Sequence, residues 1–354
     1  MKGGSLPNMG LRAMPDGPGD PRTSCSTRAG SAMRAVAVAA PDVLRAEVRA
    51  LPTLGCGEVL VRVAAAGVNR HDIGQRKRGA APAGARSDLL GLEVAGEVVE
   101  SRSEAVPVGT RIAALVDGGG YAEYCAADAG LCFALPPGMD ATEAAAWPEA
   151  LLTAWYSTVD LGQLPSRGTL LVLGAAGGVG IAAIQMALIR GANVVAAAGS
   201  TAKREALAAL GAAVSGYGDD ELTKAVGAAS GGRGADVILD LTGTDRAASN
   251  LALVARAGCI VHMASGELPA IALPLRALMA KGARITGGLL RPLPLAQKQQ
   301  MASRVRSELW PLVGTKLRAV IDRIYPLEDA AQAHRRIESR AAIGKVVLSV
   351  SQTW

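Results

Sequence analysis

The segment that decides the fold reads Leu170-Leu-Val-Leu-Gly174-Ala-Ala-Gly177-Gly-Val-Gly180. Its consecutive apolar residues predict a strand buried on both faces, and the residues from the glycines to about Arg190 predict a helix. Against the pattern G-x-G-x-x-G, Ala175 replaces the first glycine, Gly177 lets a pyrophosphate approach the backbone, and Gly180 lets the helix pack on the strand. Free N–H groups at such a helix start attract phosphate, so the segment predicts a dinucleotide site. The alternative is a glycine turn that serves packing alone.

The chain after this segment continues the alternation of strand and helix. Helical stretches such as 203–210 separate apolar runs that lack polar alternation, at 194–197, 213–214, 237–240, 259–263 and 284–287. This order predicts a doubly wound parallel sheet, the Rossmann arrangement. Before it, Gly or Pro bounds the short β-rich runs 34–39, 58–64 and 93–99. The predicted fold class is therefore α/β, with a β-rich lobe beside a Rossmann domain.

These patterns divide the chain into four segments. Residues 1–32 are rich in Gly, Pro, Ser and Arg without an apolar centre, and they predict a disordered leader rather than a secretory signal. Residues 33–152 predict the first part of a catalytic β-rich lobe, and 153–291 predict the nucleotide-binding domain. Residues 292–354 predict a return to the first lobe, through a helix over 297–312 and a strand over 345–350.

The composition excludes several classes of protein. Aromatic residues make up 3% of the 354 residues, with Phe133 as the single Phe, so base-stacking platforms for nucleic acid are not expected. The net charge is +6, and half of that excess lies in the first 34 residues, so a polyanionic partner is not indicated. The five cysteines are scattered without a C-x-x-C pair, which favours a reducing, cytoplasmic location. No apolar run long enough to span a membrane occurs.

The residues after the second predicted strand favour NADPH over NADH. An NAD site usually has a carboxylate there, about 20 residues after the glycines, to bind the ribose 2′-hydroxyl. This chain instead reads Gly199-Ser200-Thr201-Ala202-Lys203-Arg204, with two hydroxyls and two cations that suit a 2′-phosphate. The alternative is an ordinary N-cap at Ser200 or Thr201 followed by a solvated basic turn, and the two interpretations are compatible.

Several sequence blocks in order carry a resemblance to a known family. They are the glycine turn and the stretches 65–72 (AAGVNRHD), 91–96 (GLEVAG), 289–292 (LLRP), 322–326 (DRIYP) and 343–345 (IGK). With these blocks the chain resembles the medium-chain dehydrogenase/reductase superfamily, and within it the zinc-independent quinone oxidoreductases related to zeta-crystallin. The resemblance implies a GroES-like first lobe, a cleft between the lobes, and a homodimer that pairs the strand 284–287 with its copy.

The resemblance also bears on metal binding. The zinc alcohol dehydrogenases of this superfamily carry a Cys where this chain has Asn69, and Gly-His-Glu where it has Gly91-Leu92-Glu93. Leucine cannot bind zinc, and the stretch 100–109 lacks the cysteines of a structural zinc loop. We therefore expect no metal site.

The resemblance assigns residues to the cleft. Asn69, Asp72 and Arg291 are the candidate catalytic residues; Asn69 could alternatively be a turn residue, and Asp72 is expected to hold the loop that follows it. His71 is interpreted as a surface or packing histidine. The candidate cofactor-binding residues are Thr153, Ala176, Gly177, Gly178, Val179, Gly180, Ser200, Lys203, Tyr217, Thr242, Met263, Ser265, Leu289 and Lys345.

The leading functional hypothesis is NADPH-dependent reduction of a quinone by hydride transfer. The runner-up is an enone or enoyl-thioester reductase. Polyketide enoyl reductases carry Gly-Lys-Thr-Asp where this chain has Met263-Ala-Ser-Gly266, and this difference argues against the polyketide branch. A third hypothesis is a low-activity relative that binds NADPH or RNA. The chain has no tyrosine between Asn69 and Gly91, so the proton for reduction is expected to come from water.

Overall fold

The computed structural model describes residues 32–264, 266 and 270–350. All of the predicted leader except Ala32 lies outside the described residues, as does the candidate residue Ser265.

The strands and helices of the described residues follow one another from Ala32 to Ser349. The strands are β1 (Ala32–Ala40), β2 (Val43–Ala50), β3 (Glu58–Val68), β4 (Glu93–Ser101), β5 (Arg111–Leu115), β6 (Tyr124–Asp128), β7 (Cys132–Ala134), β8 (Thr169–Leu173), β9 (Asn193–Ala197), β10 (Ala213–Ser215), β11 (Ala235–Asp240), β12 (Val254–His262), β13 (Arg284–Gly287), β14 (Ile321–Pro326) and β15 (Lys345–Ser349). The helices are α1 (Arg70–Arg78), α2 (Ala141–Ala144), α3 (Pro148–Trp155), α4 (Gly178–Ile189), α5 (Thr201–Ala208), α6 (Asp219–Ser230), α7 (Ala247–Leu253), α8 (Leu275–Lys281), α9 (Leu295–Glu308) and α10 (Ala330–Glu338). None of the helices in these residues is long and apolar enough to cross a bilayer.

A six-stranded parallel sheet forms the second domain. Its strand order is β10-β9-β8-β11-β12-β13, so the chain runs outward to one edge and then restarts from β8 toward the other. Every residue of β8 is buried, as its unbroken apolar sequence predicted for a central strand covered on both faces. The switch point beside β8 is where doubly wound sheets bind their ligands. This sheet confirms the predicted Rossmann fold class.

A seven-stranded sheet forms the first lobe, in the order β14-β15-β3-β4-β5-β7, with β6 also paired to β3. The last strand, β15, lies between β14 and β3 rather than at the edge. The strands β14 and β15, near the end of the chain, therefore belong to the same sheet as β3 to β7. This insertion brings residues near Gly344 beside residues near Asn69.

Two differences between the predicted and the observed element bounds concern the segments near the site. The helix predicted over 297–312 ends at Glu308 and is followed by a separate 3₁₀ turn, Trp310–Leu312, because Pro311 has no N–H to continue the helix. The strand predicted over 58–64 continues as β3 to Val68. This extension places Asn69 directly after the end of a buried strand, as the N-cap of α1.

Candidate functional site

The glycine turn joins β8 to α4. Gly174 has a φ of 79°, so it makes the left-handed turn that the motif assigns to its first glycine, while Ala175 is buried. A Cβ on Gly180 would lie 2.3 Å from the Ala175 carbonyl oxygen, which explains why only glycine fits there. A Cβ on Gly177 would meet nothing within 4 Å, and no side chain caps α4 at this residue. The exposed helix start therefore fits the phosphate of a dinucleotide.

The end of β9 carries the residues predicted for a 2′-phosphate. Ser200 is the N-cap of α5, and its hydroxyl accepts a hydrogen bond from the Lys203 N–H. The Lys203 ammonium donates to the Arg340 carbonyl oxygen at 2.5 Å. Arg204 donates to the carbonyl oxygens of Ala198 and Gly199 at 3.1 Å. The N-cap interpretation is thus realised, and the two cations lie together at the exposed start of the helix.

Tyr217 and Thr242 lie along the same edge of the sheet. The Tyr217 hydroxyl accepts a hydrogen bond from the Gly174 N–H at 3.1 Å, which ties it to the glycine turn. The Thr242 hydroxyl donates to the Asp240 carboxylate at 2.6 Å at the end of β11. Met263 follows β12 and is half-buried, whereas the Leu289 side chain is 68% exposed. These residues follow the carboxyl ends of neighbouring parallel strands.

A buried polar network joins β3, β4 and β15 beside the glycine turn. The Lys345 ammonium forms a salt bridge with Glu93 and donates to the Asn69 side-chain oxygen at 2.8 Å and the Val68 carbonyl at 3.3 Å. The Asn69 amide donates to Glu93 at 2.9 Å. A Cβ on Gly178 would lie 2.3 Å from Lys345 Cδ. The aliphatic part of Lys345 therefore borders the helix start, while its charge is directed into the network.

Asp72 holds the start of α1 in this structure, and its candidate catalytic role stays a prediction. It is fully buried, and its carboxylate accepts hydrogen bonds from the N–H groups of Asn69 at 2.8 Å and Gly91 at 3.1 Å. The Tyr121 hydroxyl donates to it at 3.3 Å. Burial raises the pKa of Asp72 to about 6. These bonds hold α1 against the turn before β4, as expected for a residue that fixes a loop.

Glu149 belongs to the same network, and the sequence analysis missed it. Its N–H donates to Glu93 at 2.8 Å, and its carboxylate accepts a hydrogen bond from the Thr153 hydroxyl at 3.2 Å, one turn later on α3. Burial, together with the nearby Glu93, raises the pKa of Glu149 to about 7. An acidic residue in a first helical turn is ordinary. The sequence signal that could have identified Glu149 is its position as a charged residue inside the apolar run 144–156.

Arg291 connects the segment after β13 to α1. Its guanidinium donates to the Asp117 carboxylate at 2.6 Å and to the Gln75 side-chain oxygen at 3.2 Å, and it lies 2.7 Å from His71 Nε2. Burial and the charge of Arg291 lower the pKa of His71 to about 4, so this imidazole is neutral near pH 7. His71 is therefore a packing residue that accepts a hydrogen bond from Arg291.

A cavity of about 200 Å³ lies beside this network. Seven apolar side chains line it: Leu92, Leu115, Val116, Ala126, Leu131, Leu290 and Leu295. Charged residues also line it, namely Glu58, Arg86, Asp117, Asp128, Glu149, Arg291 and Lys298. Asn69 does not line this cavity. Its amide donates a hydrogen bond to Glu93, which in turn accepts one from the N–H of the lining residue Glu149. Half of the lining residues are charged, but most of the exposed wall is apolar, which suits an uncharged organic molecule.

Two family models match separate parts of the chain. One, described as an alcohol dehydrogenase GroES-like domain, matches residues 55–137, and one described as a zinc-binding dehydrogenase matches 210–348. The quinone oxidoreductase of Sus scrofa is 31% identical over 324 residues, which cover 90% of this chain and 97% of that protein.

The chain is also similar to a part of a polyketide synthase and to a solved quinone oxidoreductase structure. A polyketide synthase subunit of Mycobacterium tuberculosis, named for phenolphthiocerol and phthiocerol, is 30% identical over 83% of this chain and 14% of its own length. The solved structure of the quinone oxidoreductase from Thermus thermophilus, described also as a complex with NADPH, has a TM-score of 0.73. It is 31% identical, and the match covers 90% of this chain and 100% of that one.

Proposed function

The chain belongs to the quinone oxidoreductase branch of the medium-chain dehydrogenase/reductase superfamily, and on that basis we propose that it reduces a quinone with NADPH. Members of this superfamily are oxidoreductases that bind a nicotinamide cofactor. The proposal rests on one observation: the same molecule has both an open glycine turn and a largely apolar cavity next to Leu92. When bound, NADPH supplies a hydride, and the residues of the chain hold and orient the two reactants.

Two groups of residues would hold the cofactor. The N–H groups at the start of α4 face the position of a pyrophosphate, because the space beside Gly177 is open. At the adenosine end, Ser200, Lys203 and Arg204 would bind a 2′-phosphate, and Tyr217 would form the floor below it. No carboxylate follows β9 in the stretch 198–204 to compete for a ribose 2′-hydroxyl. This arrangement supports NADPH rather than NADH.

The cavity supports an acceptor that conjugation has already activated. Leucine and valine side chains form the walls and exclude water from the reacting atoms. Arg291 Nη2 is buried without a hydrogen-bond partner in the described part of the chain, so it is available to an acceptor oxygen. A donor aimed at an oxygen that gains negative charge stabilises the reduced form. A quinone or an α,β-unsaturated carbonyl fits this chemistry without a Lewis acid.

Zinc-independence, dimerisation and cytoplasmic location are further parts of the proposal. Leu92 occupies the position of a zinc-binding histidine, and Asn69 is engaged by Glu93 and Lys345. The strand β13 is the edge of the parallel sheet, so a second copy of the chain could pair with it. The scattered cysteines of the chain suit a reducing compartment, which supports the proposed cytoplasmic location.

A second candidate function is the reduction of an enone or an enoyl thioester. The similarity to a mycobacterial polyketide synthase subunit favours it. The sequence Met263-Ala-Ser-Gly266, in place of Gly-Lys-Thr-Asp, counts against the polyketide branch. The third candidate, a low-activity binding protein, would keep the cofactor residues without turnover.

The experiment that tests the proposal is NADPH oxidation followed optically with a panel of quinones, enones and enoyl thioesters. The same panel with NADH, and an assay without acceptor, are the controls. Faster turnover with quinones and NADPH supports the proposal. Turnover with enoyl thioesters alone supports the second candidate, and NADPH binding without turnover on any acceptor supports the third.

A further inference from the structure

We propose that Glu149 is a catalytic residue that donates the proton consumed when the acceptor is reduced. The inference rests on the proposed function and adds the proton source for that site. Its evidence is the position of the carboxyl group on the cavity wall, the hydrogen bond that orients it and the charges that surround it.

The geometry fixes Glu149 against the cavity. The Thr153 hydroxyl, on the next turn of α3, donates to one carboxyl oxygen at 3.2 Å. The Glu149 N–H donates to Glu93 at 2.8 Å, which ties this helix start to β4. The same side chain lines the cavity together with Leu92 and Leu290. One end of the carboxyl group is thus anchored by the protein, and the residue reaches the space where an acceptor would lie.

The charges around Glu149 favour its protonated form. Two other carboxylates face it, Asp72 from α1 and Glu93 from β4, and the cation that opposes them is Lys345 from β15. Lys345 is committed to Glu93, Asn69 and the Val68 carbonyl. Ionisation of Glu149 would place a further negative charge in a buried cluster that already holds more carboxylates than cations, which burial penalises. A pKa of about 7 agrees with this geometry.

The other charged groups that line the cavity are engaged elsewhere. Asp117 pairs with Arg291, Glu58 pairs with Arg86, and Lys298 donates to the Arg291 carbonyl. Asp128 accepts hydrogen bonds from Gln299 and from the Gly130 N–H. His71 is neutral and accepts from Arg291. Among the described residues on the cavity wall, Glu149 therefore holds the proton best matched to transfer near neutral pH.

The proton balance of the reaction requires such a donor. A hydride brings two electrons and one hydrogen nucleus, so a quinone needs one additional proton to become a hydroquinone. In the proposed step the O–H bond of Glu149 breaks, and a new O–H bond forms on the oxygen that carries the developing negative charge. The resulting carboxylate takes up a proton from water after the hydroquinone leaves. For an enone, the same proton completes the saturated product.

The kinetic test compares Glu149→Gln with Glu97→Gln. Glutamine keeps the size and the Thr153 contact but has no acidic proton, whereas Glu97 lies on β4 in an exposed pair with Arg62. Loss of a general acid lowers kcat by about 10²–10⁴-fold, so a loss of at least about 100-fold is expected for Glu149→Gln. Its KM for NADPH should stay within about twofold, and its kcat should lose the decrease above about pH 7 that we expect for the wild type. Glu97→Gln should behave as the wild type.

An infrared titration of the wild type tests the protonated carboxyl without any turnover. The C=O band of a buried carboxylic acid should disappear between about pH 6 and about pH 8. Glu149→Gln should lack the part of this change centred near pH 7 and keep the part near pH 6 that Asp72 contributes, whereas Glu97→Gln should retain both parts. Absence of the band change, or a kcat and pH profile of Glu149→Gln equal to those of the wild type, overturns the assignment. Failure of the wild type to reduce any acceptor instead overturns the proposed function, and the infrared result distinguishes the two.

Discussion

The pair formed by Lys345 and Glu93 gives the sharpest prediction about stability. The side chains are 7% and 0% exposed, so each charge depends on the other within the buried network. Lys345→Met keeps the aliphatic part that covers Gly178 and removes the ammonium. Removal of one partner from a buried pair costs about 3–5 kcal/mol, because the other charge is left uncompensated. Glu93 retains the Asn69 amide and the Glu149 N–H as donors, so we expect the lower end, about 3 kcal/mol.

Urea unfolding of the wild type, the two single variants Lys345→Met and Glu93→Gln, and the double variant measures this cost. Glu93→Gln in the Lys345→Met background removes the unpaired carboxylate, so the double variant should be more stable than the sum of the single losses by at least about 1–2 kcal/mol. A loss below about 1 kcal/mol for Lys345→Met, or strictly additive losses in the double variant, would refute the network.

The remaining predictions concern cofactor choice, pH dependence and metal content. Lys203→Ala should raise the KM for NADPH by an amount worth about 1–3 kcal/mol while use of NADH changes little, and steady-state kinetics with both cofactors would show equal losses if the 2′-phosphate assignment were wrong. Because the folded protein holds a proton on Glu149 that the unfolded chain releases near its ordinary pKa of 4.5, stability should fall as pH rises from about 4.5 to about 7. The free energy of unfolding of Glu149→Gln, relative to the wild type, should therefore rise by about 2–3 kcal/mol between about pH 5 and about pH 8 in urea titrations, and a flat difference would contradict the raised pKa. Metal analysis of the purified protein should find no stoichiometric zinc, and one tightly bound ion per chain would overturn the zinc-independent proposal.

The parts of the fold with a clear local pattern could be predicted from the sequence. The unbroken apolar run and the glycines predicted β8, its turn and α4, because burial on both faces and close packing each demand specific residue types. The edge strand β13 has the predicted bounds, Arg284–Gly287. An N-cap at Ser200 or Thr201 was also predicted, since these residue types favour a local hydrogen bond at a helix start, and Ser200 is the residue that caps α5.

The network around Glu93 could not be predicted in the same way. Its hydrogen bond to Lys345 joins residues 252 positions apart, and the insertion of β15 beside β3 creates it. Lys345 was assigned to the cofactor from the family resemblance alone, and Glu149 was overlooked, because the local sequence around each residue does not reveal its distant partners. Gly67 gives a further example: a Cβ there would lie 2.2 Å from Glu93 Oε1, a constraint that arises only in the folded lobe.

We propose that NADPH transfers two electrons, as a hydride, to a quinone in the cavity beside Leu92. The most direct measurement is anaerobic reaction of the purified protein with NADPH and phenanthrenequinone, in which NADPH loss and hydroquinone formation are both followed. The proposal predicts that one hydroquinone forms for each NADPH oxidised, at a rate far above that with NADH. NADPH binding without oxidation above the rate without acceptor, or equal rates with both cofactors, would contradict it.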